Sequence, residues 1–211
     1  MKILLVLAGS IPSRELLKTY MEFSDLIIAV DGGVNAFTDY EFQPDVIVGD
    51  LDSARLSVSP ESELIKDADQ ESTDLQKALD YVLNQRTVQK LTILGGLGGR
   101  TDHLLNNLKI CSQVDPAINL EFHSELSGDS DFENESIYRL APGEMSIRAN
   151  SDSTISIISI DPFEGLNSTG LKWELQNEKS ASGFISQSNQ TVSQDVLFSL
   201  LKGIVYIAVY Q

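Results

Sequence analysis

The chain has 211 residues, of which 42% are hydrophobic and 22% are charged, enough for one large domain or two small ones. Its net charge of −16 opposes binding to nucleic acid or anionic membranes, and no apolar run approaches the roughly 20 residues that cross a bilayer. The single cysteine, Cys111, excludes an internal disulfide framework, suits a reducing cytosol and is expected to be a buried core thiol. We therefore expect a cytoplasmic globular protein.

Residues 1–123 alternate between short apolar runs and segments with helical periodicity. The run 3–8 is shorter than the apolar region of a signal peptide and is predicted to be the first strand. The helix over 74–84 has apolar residues at helical spacing after Ser72 or Thr73, either of which can cap it. The predicted elements are strands at 3–8, 26–30, 46–48, 64–65, 91–94 and 119–122, and helices at 13–22, 34–40, 74–84 and 102–112. This alternation predicts an α/β domain with a mostly parallel sheet and helices on both faces.

The pattern changes after residue 123. The segment 124–136 is polar and acidic, and it is expected to be a linker or an exposed turn. Short β-type runs follow, separated by proline, glycine and asparagine, at 136–140, 144–148, 154–160, 170–176, 181–187, 196–201 and 204–209. Seven short strands at this spacing predict a carboxyl-terminal antiparallel β-sandwich domain, with the whole second domain over 124–211.

Four polar motifs follow predicted strands or precede predicted helices, at the edge of the sheet where open α/β proteins bind ligands. They are DGG at 31–33, GDLDS at 49–53, DQESTD at 69–74 and GGLGGRTDH at 95–103. The last motif suits a phosphate, because backbone N–H groups at a helix N-terminus and the guanidinium of Arg100 both bind anions. A tight strand-to-helix turn is the alternative explanation for its glycines.

Asp50 and Asp52 lie two residues apart just after a buried strand. Two carboxylates this close repel each other without a cation, and carboxylates, waters and substrate phosphates are the ligands that Mg²⁺ prefers. A solvated turn is the alternative for this pair. Asp74 could instead be a helix-start residue, and Asp31 a turn residue.

Trp173 is the only tryptophan, and it lies in the β-rich half. It is expected to be either a core residue of the sandwich or an aromatic plate for a flat ring. The segment 185–189 is either a turn or a rim of small polar donors for the same ligand. His103 by itself is more typical of a capping or packing histidine than of a base, and His123 has no visible partner and is given no role.

In this order and spacing, the stretches VDGGVN, PDVIVGDLDS, DQESTDLQKAL and GGLGGRTDHLLNN resemble the thiamin pyrophosphokinase family. GLKWEL and FISQSN are similar to that family's carboxyl-terminal domain. The resemblance implies an α/β ATP-binding catalytic domain, a β-sandwich that binds thiamine, and a homodimer with a shared thiamine site. It also implies Mg²⁺-dependent transfer of the β,γ-pyrophosphate of ATP to the thiamine hydroxyl, which gives thiamine diphosphate and AMP.

The resemblance implies roles for individual positions. Asp50, Asp52 and Asp74 would hold Mg²⁺ and the triphosphate as catalytic residues, and one of them or a metal-bound network would help to deprotonate the thiamine hydroxyl. The residues expected at the ATP site are Asp31, Gly32, Gly33, Asp69, Gln70, Gly98, Gly99, Arg100 and Asp102. Those expected near thiamine are Ser168, Thr169, Trp173, Ser186, Ser188 and Asn189. Glu71 departs from the family's pattern, which is expected to have aspartate there.

Other functions stay open on the residues alone. A D-x-D sequence after a buried strand also occurs in aspartyl phosphatases and in nucleotide-sugar glycosyltransferases. Ala54 after Ser53, and the lack of D-x-D in the first strand, disfavour the phosphatase. The further alternatives are another Mg²⁺-dependent phosphotransferase that acts on a small alcohol, and a non-catalytic module that binds a nucleotide or thiamine.

Overall fold

The protein is seen here as a computed structural model, which describes residues 1–49, 61–66, 71–126, 128, 130–181 and 185–211. The chain divides into two compact units. The first consists of Met1–Cys111 and Ile118–Ser124, and the second of Ser112–Ala117 and Glu125–Gln211. Across the part that is described, no helix is long and apolar enough to cross a membrane.

The first unit contains six described strands and four α-helices. The strands are β1 (Lys2–Val6), β2 (Leu26–Val30), β3 (Val46–Val48), β4 (Glu63–Ile65), β5 (Lys90–Leu94) and β6 (Asn119–Glu125). The helices are α1 (Arg14–Glu22), α2 (Val34–Tyr40), α3 (Asp74–Gln85) and α4 (Thr101–Cys111). Every element predicted in this half is therefore confirmed, with bounds that differ by a few residues. Cys111 is buried as expected.

The strands of the first unit form an all-parallel arrangement in the order β6-β5-β1-β2-β3-β4. The chain moves outward from β1 to β4 and then returns to the other side of β1 with β5 and β6. Leu4 and Val6 pack with Leu17 of α1 and Phe37 of α2, whereas the alternate residue Leu5 is equally buried on the opposite face. Both faces are therefore covered, and the strand order reverses between β1 and β5.

The second unit contains eight described strands. They are β7 (Asn134–Leu140), β8 (Gly143–Arg148), β9 (Thr154–Ile158), β10 (Phe163–Thr169), β11 (Glu178–Ser180), β12 (Ile185–Gln190), β13 (Asp195–Leu200) and β14 (Val205–Tyr210). Neighbouring strands are antiparallel, in the orders β12-β9-β14-β7 and β11-β10-β13-β8. Ile157 and Ile207 from the first group share one core with Leu166 and Phe198 from the second. This confirms the predicted β-sandwich.

The predicted strand over 170–176 is wrong. The chain turns there, because Gly170 has a φ of +97° and the Glu174 carboxylate accepts hydrogen bonds from backbone N–H groups within the segment. Sequence patterning also fails to predict β10, since Gly165 is typical of a turn. Gly165 instead lies at an irregularity in the pairing of β10 with β11, with a φ of +74°. Of the predicted strand over 181–187, residues 185–187 belong to β12, whereas 182–184 lie outside the described residues.

The acidic segment 124–136 is not a linker along its whole length. Its first residues belong to β6, which extends to Glu125, and its last residues belong to β7, which begins at Asn134. Between these strands, the N–H of Leu126 donates to the carbonyl of Glu133 at 2.7 Å. Strand structure therefore covers both ends of the segment. Its polar sequence is compatible with this, because alternate residues of a strand can be polar when one face is exposed.

A partly buried polar cluster joins β5 and β6 in the first unit. The Glu121 carboxylate lies 2.7 Å from the Lys90 ammonium and 3.0 Å from Nε2 of His123, and it accepts a hydrogen bond from the Thr92 hydroxyl at 3.2 Å. The His123 ring stacks on Tyr20 with centroids 4.7 Å apart. His123, for which no role is predicted, thus has a charged partner and an aromatic one.

This cluster predicts a loss of stability in acid. Burial acts to raise the pKa of Glu121, but hydrogen bonds and charges from His123 and Lys90 outweigh burial and hold it below the ordinary 4.5. Because the pKa is lower in the folded state, the stabilisation is fully present above 4.5 and is lost as the pH falls through the lowered value. We expect Glu121→Gln to lower the free energy of unfolding by about 1–3 kcal/mol at neutral pH.

Urea unfolding of the wild type and Glu121→Gln at a series of pH values measures this effect. The difference between the two proteins should shrink as the pH falls below the ordinary glutamate value, because the protonated carboxyl then resembles the amide. A difference that stays constant down to the acid limit would contradict the assignment.

Candidate functional site

A cavity of about 550 Å³ lies in the first unit, at the carboxyl ends of β1, β2 and β5. The loop after β1 contributes Gly9, the turn after β2 contributes Asp31, and the start of α3 contributes Asp74. Gly99 and Arg100 come from the loop that connects β5 to α4. Because the strand order reverses between β1 and β5, the cavity occupies the place where open α/β sheets bind ligands.

The structure brings together part of the set of residues predicted for ATP and metal. Those that line the cavity are Asp31, Asp74, Gly98, Gly99 and Arg100. Gly32 and Gly33 are buried and lie outside its lining. Asp102 also lies outside the lining. Four further predicted residues, Asp50, Asp52, Asp69 and Gln70, are not among the described residues.

The loops after β1 and β5 are held together by their backbones. The N–H of Leu7 donates to the carbonyl of Leu94 at 2.8 Å, and the N–H of Gly9 donates to the carbonyl of Gly95 at 3.0 Å. A Cβ on Gly95 would lie 2.2 Å from the carbonyl oxygen of Leu7, whereas a Cβ on Gly99 would meet only the Cα of Gly9 at 3.8 Å. Gly95 therefore serves close packing, and Gly99 borders open space at the cavity.

Arg100 is oriented by an aspartate at the start of α4. Nε of Arg100 donates to Oδ1 of Asp102 at 3.1 Å, and one terminal nitrogen donates to Oδ2 at 2.5 Å. This hydrogen bond raises the pKa of the Arg100 guanidinium and lowers the pKa of Asp102. The N–H of His103 also donates to Asp102 at 3.0 Å. Asp102 thus positions Arg100, whose other N–H groups are available to an anion.

Asp74 is the first residue of α3. Thr73 caps this helix and forms a capping box with Gln76. Oδ1 of Asp74 lies 3.6 Å from the ammonium of Lys77, and its side chain is 45% exposed. The helix-start explanation is therefore compatible with a functional one, because the same carboxylate borders the cavity. Glu71, at the departure from the family pattern, is exposed and lies outside the lining.

Asp31 has a buried carboxylate oxygen whose hydrogen bonding is not satisfied within the described part of the chain. The residue is buried and has a φ of +45°, and its Oδ1 has no hydrogen-bond partner in the described part of the chain. A buried oxygen of this kind is destabilising unless a water, an ion or a ligand satisfies it. Within the same described part, no three His, Cys, Asp or Glu side chains lie close enough to hold a metal by themselves.

Three side chains of α4 at the cavity are not predicted as site residues. His103, Asn106 and Asn107 line it together with Arg100, and Nδ2 of Asn107 donates to the carbonyl of Gly96 at 3.2 Å. Their spacing places them on one face of the helix that follows the glycine-rich loop, which is the signal that could have found them. His103 is thus a cavity residue, and Asn107 braces the loop.

In the second unit, Trp173 is 57% exposed, so the interpretation of this residue as part of the sandwich core is wrong. The ammonium of Lys172 lies over one face of the indole, 4.7 Å from the ring centroid. Asn189 is 3% exposed and forms hydrogen bonds with the backbone of Trp173. The structure therefore places two of the residues expected near thiamine in direct contact, one exposed and one buried.

The other residues expected near thiamine lie on two strands. Ser168 and Thr169 end β10 and border a small cavity of about 190 Å³. Ser186 and Ser188 lie on β12, at an irregularity of its pairing with β9 where Ser188 has a φ of +59°. The N–H of Ser188 donates to the hydroxyl of Ser156 at 3.2 Å.

Comparisons with known proteins cover both units. Two family models match: Thiamin pyrophosphokinase, catalytic domain, over residues 17–121, and Thiamin pyrophosphokinase, vitamin B1 binding domain, over residues 144–205. Thiamine pyrophosphokinase 1 of Arabidopsis thaliana is 32% identical, with 80% of this chain and 72% of the relative covered. Thiamin pyrophosphokinase 1 of Caenorhabditis elegans is 25% identical, with 85% and 76% covered. The crystal structure of thiamine pyrophosphokinase from Bacillus subtilis matches with a TM-score of 0.77 at 26% identity, covering 100% of this chain and 99% of that chain.

Proposed function

Because the chain belongs to the thiamin pyrophosphokinase family, we propose that it transfers the β,γ-pyrophosphate of ATP to the hydroxyl of thiamine, giving thiamine diphosphate and AMP. The observation that carries this proposal is the cavity at the reversal of strand order, where Asp31, Asp74 and Arg100 converge with a glycine-rich loop. This arrangement presents anion-binding and cation-binding groups side by side. A triphosphate that travels with a divalent cation needs both.

The triphosphate is assigned to the loop between β5 and α4. Gly99 leaves room for a phosphate to approach the backbone, and the N-terminus of α4 favours negative charge. Arg100, held by Asp102, supplies a pre-oriented guanidinium. Since these groups stabilise charge without forming a covalent bond, they suit phosphoryl-type transfer, in which positioning and charge neutralisation dominate.

The chemistry of the donor set fits Mg²⁺. This ion commonly binds one or two carboxylates together with waters and substrate phosphates, and Asp31 has a carboxylate oxygen with no protein partner among the described residues. Asp31 and Asp74 border the same cavity. We propose that Asp74, with Asp50 and Asp52 of the GDLDS motif, would hold the Mg²⁺ ion. The ion would supply neutralisation of the phosphate charge when bound.

In the proposed reaction the thiamine hydroxyl oxygen forms a bond to the β-phosphorus of ATP. The bond from that phosphorus to the oxygen bridging the α-phosphate breaks, and this oxygen leaves with AMP. The hydroxyl proton goes to one of the site's aspartates or to solvent. Arg100 stabilises negative charge on the phosphate oxygens as the bonds exchange.

We assign the thiamine rings to the exposed face of Trp173. A thiazolium carries a permanent positive charge, and an aromatic face attracts cations. Because Lys172 covers one face of the indole, the ligand would use the other face. The net charge of −16 would help to attract the same cation.

The proposal also includes a cytoplasmic homodimer with a shared thiamine site. The dimer is supported by exposed apolar side chains in the second unit, namely Trp173, Val192 and Leu197. Light scattering of the purified protein measures it, and a mass equal to one chain at working concentration would remove this part of the proposal.

Separation of the products by liquid chromatography tests the reaction. Incubation of the wild type with ATP, Mg²⁺ and thiamine should yield AMP and thiamine diphosphate in equal amounts, and neither should form without thiamine. ADP with thiamine monophosphate would instead show ordinary phosphoryl transfer. Binding without any turnover would favour a non-catalytic module.

A further inference from the structure

The segment 168–175, called here the Trp173 turn, is closed by a carboxylate that the proposed reaction does not use. Oε1 of Glu174 accepts hydrogen bonds from the N–H groups of Gly170 at 2.7 Å and Leu171 at 3.1 Å. Its Oε2 accepts a hydrogen bond from the hydroxyl of Ser168 at 2.8 Å. One side chain thus satisfies two backbone donors and one side-chain donor on the same turn.

Ser168 links this carboxylate to the far end of the turn. Its hydroxyl oxygen accepts a hydrogen bond from the N–H of Leu175 at 2.8 Å, and its own N–H donates to the carbonyl of Leu175 at 3.1 Å. The near end of the turn requires glycine at position 170, because a Cβ there would lie 2.8 Å from the carbonyl oxygen of Asp195. The two ends of the turn are therefore held together through Ser168 and Glu174.

Asn189 of β12 holds the middle of the turn. The N–H of Trp173 donates to Oδ1 of Asn189 at 3.2 Å, and Nδ2 of Asn189 donates to the carbonyl of Trp173 at 2.7 Å. The backbone of Trp173 is therefore bound at both of its polar groups, although its ring is 57% exposed. An exposed aromatic ring on a fixed backbone loses little conformational freedom when a ligand stacks on it.

We propose that Glu174 is a positioning residue, which holds the Trp173 turn so that the indole is in place before thiamine binds. This inference rests on the proposed function, because it concerns the ring assigned to thiamine. Removal of the carboxylate takes away the acceptor of the Gly170 and Leu171 N–H groups and of the Ser168 hydroxyl together, but leaves Trp173 itself intact. Part of the binding free energy would then be consumed in ordering the turn.

Tryptophan fluorescence measures the turn directly, because Trp173 is the only tryptophan in the chain. In the free protein, we expect Glu174→Ala to lower the fluorescence anisotropy and to increase quenching by acrylamide. Glu174→Gln keeps an oxygen that can accept from Gly170 and Leu171, so it should recover much of the wild-type signal. The matched control is Glu164→Gln, since Glu164 is an exposed carboxylate on β10 that pairs with Lys202 at 3.2 Å.

Steady-state kinetics tests the consequence for the substrate. We expect Glu174→Ala to raise KM for thiamine roughly tenfold, with a smaller change in kcat and with KM for ATP unchanged. Glu174→Gln should fall between Glu174→Ala and the wild type, and Glu164→Gln should match the wild type. If Glu174 had only a structural role, the variant would have a lower melting temperature. Its KM values for thiamine and for ATP would then either both change or both stay the same.

Wild-type anisotropy and wild-type KM for thiamine in a folded Glu174→Ala protein would overturn the inference. If that variant does not fold, Glu174→Gln decides: a shift in KM for thiamine alone supports positioning, and no shift overturns it. If the wild type forms no thiamine diphosphate, the proposed function is contradicted. Because the fluorescence of the free protein needs no turnover, it would still decide whether Glu174 holds the turn.

Discussion

Replacing Asp74 by asparagine is expected to lower turnover of ATP and thiamine by about 100-fold or more while the fold is kept. The amide has nearly the same shape as the carboxylate but lacks its charge, so it binds Mg²⁺ poorly. Asp74 lies at the first position of α3, where loss of a negative charge costs about 0.3–1 kcal/mol. The expected loss of activity is therefore much larger than the expected loss of stability.

Formation of AMP at saturating substrates measures this effect, with circular dichroism as the check of the fold. Asp80→Asn is the matched control, because Asp80 is exposed on the same helix and lies outside the cavity lining. Asp52→Asn is expected to cause a loss like that of Asp74→Asn. A rise in the Mg²⁺ concentration needed for half-maximal rate should accompany the loss. An Asp74→Asn protein with the turnover of Asp80→Asn would remove Asp74 from the metal site.

Elements with strong local periodicity could be predicted from the sequence. The helix α3 is an example, since its apolar residues recur at helical spacing and its cap, Thr73, precedes them directly. The glycine-rich loop and the DGG motif could also be placed at one sheet edge, because consecutive parallel strands end on the same side. Local pattern and overall topology agree at these places.

Features that depend on a distant or specific side chain could not be predicted. The Trp173 turn has the residues of a strand, but the carboxylate of Glu174 competes for its backbone N–H groups. The pair formed by Lys90 and Glu121 depends on the register of β5 with β6, which the sequence of neither strand reveals. The same holds for Asn107, whose contact with Gly96 appears only when α4 folds back over its loop.

A comparison of two glycines in the β5–α4 loop separates backbone strain from close packing. Gly95 and Gly99 both have a φ of +67°, so alanine at either position should cost about 1–3 kcal/mol for the left-handed conformation alone. At Gly95 the new Cβ would also lie 2.2 Å from the carbonyl oxygen of Leu7. Since that atom belongs to the backbone of the β1 loop, it cannot rotate away.

We therefore expect Gly95→Ala to lower the free energy of unfolding by at least about 2 kcal/mol more than Gly99→Ala. Urea unfolding of both variants measures the difference, and the shared φ cancels in it. Gly95→Ala should in addition raise KM for ATP, because the contact that it breaks joins the two loops that border the cavity. Equal losses in the two variants would mean that strain alone sets the requirement for glycine. The close approach of Gly95 to Leu7 would then add nothing to the two backbone hydrogen bonds that join the loops after β1 and β5, and the cavity would not depend on close packing at Gly95.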